Sequence, residues 1–160
     1  MWWPDLRAND DVCRMVLKME DKIMKRILLP GFLISIPIIV ISVGSGYLLG
    51  AIWPSIAKQY NNTQLYRPWS QWVMWLIFVY PFWIGFALAW VWDNVKDLFK
   101  GNNTKRAFKF ANVYWIVVVG PTMIMNYSCF SISFPVILSW IISGYIYGLF
   151  AGWFCVKINP

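Results

Sequence analysis

The chain has 160 residues, of which 59% are hydrophobic, 19% aromatic and only 13% charged, about half the ~25% charged share of a soluble domain. It carries 14 Lys and Arg against 7 Asp and Glu, and no His. So little charge excludes an ordinary water-dispersed globule, and the lack of His removes the commonest metal ligand and the usual axial ligand of haem.

The basic residues lie beside apolar runs rather than in a patch of their own. Topology and anionic lipid headgroups explain that placement better than nucleic acid, so no nucleic-acid partner is expected. Cys13, Cys129 and Cys155 show no CxxC spacing. Neither a disulfide framework nor a metal cluster is expected. About 26 residues, eleven of them charged, precede the first long apolar run, unlike the short basic region of a signal peptide.

Residues 9–26 read as an amphipathic helix. Asn9, Asp10 and Asp11 can cap it, and Val12, Met15, Val16, Met19, Ile23 and Ile27 recur every three or four positions. Arg14, Lys18, Lys22, Lys25 and Arg26 lie largely off this stripe. Such a helix can lie flat at the headgroups or pack its stripe on a partner; both readings stand.

Four apolar spans follow, over 28–53, 69–92, 110–127 and 132–156. The expected fold is therefore all-α: a polytopic membrane protein of one domain, four transmembrane helices preceded by the interfacial helix. Pro30-Gly31 is expected to break the interfacial helix from span one, and Pro37 and Pro81 interrupt spans one and two. The stretch 93–109 reads as the longest polar connection. Twelve basic residues fall on one side: Arg7, Arg14, Lys18, Lys22, Lys25, Arg26, Lys96, Lys100, Lys105, Arg106, Lys109 and Lys157. Lys58 and Arg67 alone fall on the other. The positive-inside rule then places both ends in the cytoplasm, most simply at the plasma membrane.

Two features suggest packing surfaces. Gly144, Gly148 and Gly152 form a smooth groove on span four, and Ser42, Gly46 and Gly50 do so on span one. Small residues spaced by four let helix backbones approach closely. The two grooves can meet each other or receive a partner's helix. On span two, Trp72, Trp75, Trp83, Phe86 and Trp90 recur at helical spacing and offer an aromatic face for a partner or lipid.

Spans one and four also echo each other: nine of 19 positions match between 32–50 and 130–148, including Pro37 and the run Ser45-Gly46-Tyr47. Shared packing needs and an old inverted duplication both produce such a pattern.

No span holds an ionisable carboxylate, Lys or Arg. Asp93, at the edge of span two, is expected to be solvated. The polar residues Ser35, Ser42, Asn112, Thr122, Asn126, Ser139 and Ser143 are expected to make interhelical or backbone hydrogen bonds. The hydroxyls of Tyr47 and Tyr145 are expected to be buried against carbonyls. Of the sequons at Asn61, Asn102 and Asn126, only Asn61 is placed for glycosylation.

No catalytic, cofactor or metal motif is present. The expectation is a non-catalytic accessory subunit of a larger integral membrane complex, such as a respiratory or other oxidoreductase complex, with other membrane subunits and lipids as partners. The rival is a small homo-oligomeric channel, carrier or lipid flippase. An enzyme acting on lipids has least support, because no acid–base pair is visible.

Overall fold

The computed structural model describes Arg14, Glu20 and residues 23–160. Most of the expected interfacial helix over 9–26, with Cys13 and most of its apolar stripe, lies outside the described residues, and its last residues from Met24 belong to α1. Four long apolar helices cross the fold: α1, Met24–Ile52; α3, Trp72–Leu98; α4, Asn103–Cys129; and α5, Phe134–Ile158. A short helix, α2, Pro54–Tyr60, follows α1. The protein is an all-α, polytopic membrane protein.

The helices start and stop for local reasons. Pro54 opens α2 and Pro135 lies in the first turn of α5, where a missing N–H costs nothing. Asn102 caps α4 by accepting from the Lys105 N–H at 2.9 Å. Gly101, at φ +127°, turns the chain before that cap, a conformation that a Cβ would strain. The connection between α3 and α4 is thus only residues 99–102, not the whole of 93–109. Residues 103–109 are polar yet helical, because Ala107, Phe110 and Ala111 are buried while Lys105 and Lys109 face outward.

No break occurs at Pro30-Gly31. The helix passes through it, because a π-turn over Met24–Leu28 widens the register just ahead of the proline. The Leu29 N–H donates to the Met24 carbonyl, five residues back. The same device recurs in α4, where a π-turn over Trp115–Val119 precedes Pro121 and the Gly120 N–H reaches the Trp115 carbonyl. Pro37 and Pro81 sit within continuous α-helix.

Packing is most extensive between α1 and α3 and between α4 and α5, and α1 joins the two pairs by packing on α5. Within their most apolar stretches, 44% of α5 is buried against 22–28% of the others, so α5 is the central post. One cluster of buried side chains, including Ile34, Ile38, Leu88, Trp92, Phe110 and Ala151, runs through all four helices. A second, Ile56, Ile132, Val136 and Ile137, fixes α2 against α5. Gln59 of α2 also takes the Ser133 N–H and hydroxyl and donates to the Ser131 carbonyl.

Span four's groove is filled inside the chain. A Cβ at Gly144 would lie 2.8 Å from Val119, at Gly148 2.9 Å from Tyr114, and at Gly152 2.7 Å from the Ala107 carbonyl oxygen. The grooves on spans one and four therefore do not meet: α4 occupies the second. The first is not a single surface. Ser42 shares a 2.8 Å hydrogen bond with the Tyr147 hydroxyl, Gly50 rests on Ala57, and nothing lies within 4 Å of a Cβ at Gly46. Two expectations follow from this contrast. Gly152→Val overpacks the seam and costs about 1–3 kcal/mol, a drop of several degrees in Tm, while Gly46→Ala is neutral or slightly stabilising through helix propensity. Thermal unfolding in mild detergent, followed by circular dichroism, measures both; equal Tm for the two variants would refute the seam.

Candidate functional site

The aromatic stripe of span two separates into two faces. Trp72, Trp75, Trp83 and Trp90 project from the bundle, with Trp83 77% exposed. Phe86 turns inward instead. Its ring and Cα stand where a Cβ on Gly31 would go, because α1 and α3 cross there with small residues at the contact. Gly85 completes the crossing by lying against the Gly31 carbonyl and the Ser35 hydroxyl. This crossing was missed from sequence, although Gly31 and Ser35 are four apart and carry the small-residue spacing. Trp75 and Phe78, with ring centroids 5.7 Å apart, join Trp69 and Met74 around a shallow concavity of about 240 Å³.

Polar residues within the spans mostly satisfy one another or the backbone. Ser35, Thr122 and Ser139 donate to the carbonyls of Gly31, Val118 and Val136. The Tyr145 hydroxyl donates to Asn112 Oδ1 at 2.9 Å, linking α4 and α5 through side chains rather than through a carbonyl. Tyr47 differs from expectation: it is 81% exposed, because its side of α1 faces no other helix. The matched residues of spans one and four thus sit in unlike surroundings. Gly46 is open where Gly144 is wedged, and Pro37 is mid-helix where Pro135 begins one.

The densest polar constellation lies where the basic ends of all four long helices meet. Trp92 is fully buried, stacked on Phe99 at 5.8 Å and edge-on to Phe110 at 5.3 Å. Its indole N–H donates to the Asn159 carbonyl at 2.8 Å. The Asn159 amide donates to Asp93 Oδ1 at 2.8 Å, and its own oxygen accepts from Lys96. Asp93 also faces Lys96 Nζ at 3.7 Å and Arg26 at 3.9 Å. Its side chain is only 18% exposed, so Asp93 is not simply solvated. Arg106 lies over the Trp92 ring at 5.2 Å and donates to the Lys96 carbonyl at 3.4 Å. The sequence carried no signal for Asn159 or Arg106 here; only the folded chain brings 92, 106 and 159 together.

At the opposite end, Trp140 donates its indole N–H to the Tyr60 hydroxyl at 2.8 Å, and Tyr60 packs on Tyr66. The Tyr66 hydroxyl is buried and has no partner among the described residues. Burial, and secondarily the neighbouring Tyr60, push the Tyr66 phenol up to about 12. Chemically, the molecule therefore offers an outward aromatic surface and a cation-rich niche. Among the described residues, no three His, Cys, Asp or Glu side chains converge.

Asn159→Ala removes the amide that bridges Asp93 and Lys96. The loss expected is about 1–3 kcal/mol, read as a lower Tm. A second expectation concerns pH. A raised phenol pKa favours the protonated fold, so its contribution is intact below the ordinary value of 10.0 and is lost as pH rises towards about 12. Tyr66→Phe should lose less stability than the wild type across that window; identical pH–Tm curves would contradict it. Compared with known proteins, the chain matches no family model, no curated protein and no solved structure.

Proposed function

We propose that the protein is a non-catalytic accessory subunit of a larger integral membrane complex and that it docks through the exposed side of α3. One observation carries this reading. Trp83 is residue twelve of the 27 in α3 and projects from the bundle. At 1.5 Å per residue that puts it about 3 Å from the middle of the helix. Tryptophan favours the headgroup interface, where its N–H finds water or lipid oxygen. The hydrocarbon centre offers no acceptor. The buried indole of Trp92 and the half-buried indoles of Trp115 and Trp140 all find one within the chain. An acceptor and a packing surface on a neighbouring subunit would supply both for Trp83. The glycine groove of α5 is already filled by α4, which leaves the aromatic surface as the better docking face.

By the positive-inside rule the end bearing Lys96, Lys100, Lys105, Arg106, Lys109 and Lys157 faces the cytoplasm, at the plasma membrane. The complex that fits is one of many small subunits around a catalytic core, a respiratory or other oxidoreductase assembly among them.

A homo-oligomeric channel, carrier or flippase is the second reading. It draws on the Ser42–Tyr147 hydrogen bond within the bundle and on Tyr114, which is buried in the same cluster as Tyr147. Hydroxyls from several helices gathered inside a bundle are the kind of set that lines a polar path.

Isolation of the tagged chain from its own membrane in gentle detergent decides between them. The expected result is co-migration with unrelated membrane subunits, with recovery falling about tenfold or more in Trp83→Ala, as for an interface anchor. Migration only as copies of itself, together with ion or lipid flux in liposomes, would overturn the subunit reading in favour of the second.

A further inference from the structure

Among the described residues, the niche at the basic end holds more cationic than acidic side chains. Arg26 and Lys96 face one carboxylate, Asp93, and Lys96 also donates to the neutral Asn159 and to the Pro160 oxygen at 3.3 Å, while Arg106 lies over Trp92 and reaches the Lys96 carbonyl. Both ion pairs with Asp93, at 3.7 and 3.9 Å, are longer than hydrogen bonds. Lys96 is only 14% exposed, so its charge is partly withdrawn from water. Desolvated cations require a counter-charge or acceptors. The Nε of Arg106 is buried with no hydrogen-bond partner among the described residues. Among the described residues, the constellation thus sets three cationic side chains beside one acidic one and leaves a buried guanidinium N–H that an acceptor-rich anion would fit.

Depth identifies its source. The long helices have 25–29 residues, or about 40 Å at 1.5 Å per residue, against a hydrocarbon core of about 30 Å. Their ends therefore reach the headgroup layer. Arg26 lies in the first turns of α1, Lys96 in the last turn of α3, Arg106 in the first turn of α4, and Asn159 caps α5. All four stand at the level of lipid phosphates. Arg26, 44% exposed, stands on the open side of the niche. The guanidinium fork matches two phosphate oxygens at once, and a lysine adds a point charge.

We propose that this niche binds the phosphate of an anionic phospholipid headgroup, held by Arg26, Lys96 and Arg106. The lipid joins α1, α3 and α4 at one surface of the membrane. Asp93 arranges the cations and weakens the binding of the anion, so its neutralisation strengthens retention.

Native mass spectrometry of the full chain, released from detergent after exposure to phosphatidylglycerol or phosphatidylcholine, tests this. Phosphatidylglycerol is expected to be retained and phosphatidylcholine stripped. Arg106→Gln should lower retention about tenfold or more, the effect of losing a charged hydrogen bond. Arg26→Gln, at an exposed side chain, should act in the same direction even if Arg106→Gln fails to fold. Asp93→Asn should retain at least as much lipid as the wild type. Equal retention of the two lipids overturns the site, as does unchanged retention in both arginine variants. A loss in Asp93→Asn equal to that in Arg26→Gln would reveal only a structural effect and overturns it as well. Displacement of the lipid by millimolar inorganic phosphate would assign the site to free phosphate and overturn the lipid assignment.

Discussion

The close approach of α4 to α5 holds the rest of the bundle in place. Its basis is steric: three glycines on one helix face Ala107, Ala111, Tyr114 and Val119 on the other, with no room for a Cβ between them. Without a hydrophobic drive between helices in lipid, such van der Waals contact and the hydrogen bonds it permits supply most of the association energy. The Tyr145–Asn112 bond and the bond from the Trp115 indole to the Ile141 carbonyl both span this seam. Because α5 is also the post on which α1 rests, the seam sets where Tyr147 meets Ser42.

The two ends of the bundle are fastened differently. At the end opposite the Asp93 niche, α2 folds back and its buried Ile56, with Gln59 and Tyr60, ties the connection between α1 and α3 to α5. At the basic end the fastening is aromatic and ionic. Trp92 fills the centre, and the chain's last residues close over it through Asn159. One end is thus secured by apolar burial and neutral hydrogen bonds, the other by charges that also face the headgroups. Changes in lipid charge bear on the second end and leave the first alone.

Hydropathy made the four spans legible, since about twenty apolar residues in a row have few other uses. It misplaced their ends where a helix continues amphipathically beyond the hydrocarbon. Span three begins at Asn103 rather than 110 because its first turns bury Ala107 on one side and show Lys105 on the other. Glycine spacing located the groove on α5 but not its occupant, because small residues advertise closeness without naming a neighbour. The tryptophans are alike in any window. That Trp92 is buried and Trp83 projects depends on which face of α3 meets α1, a decision taken at Gly31 and Gly85. Asp93 was misjudged because its partners come from positions 26, 96 and 159.

The π-turn in α4 has a consequence for angular phase. Ala107 and Val119 are twelve residues apart, and at about 100° per residue an unbroken α-helix would set them about 120° around the axis from each other. Both nevertheless touch the glycine row of α5. The turn over Trp115–Val119 absorbs one residue, so the interval counts as about eleven α-helical steps, close to three whole turns. Val119 thereby returns to the azimuth of Ala107. A single extra residue, placed just before Pro121, keeps one helix in register with its neighbour along the whole glycine row.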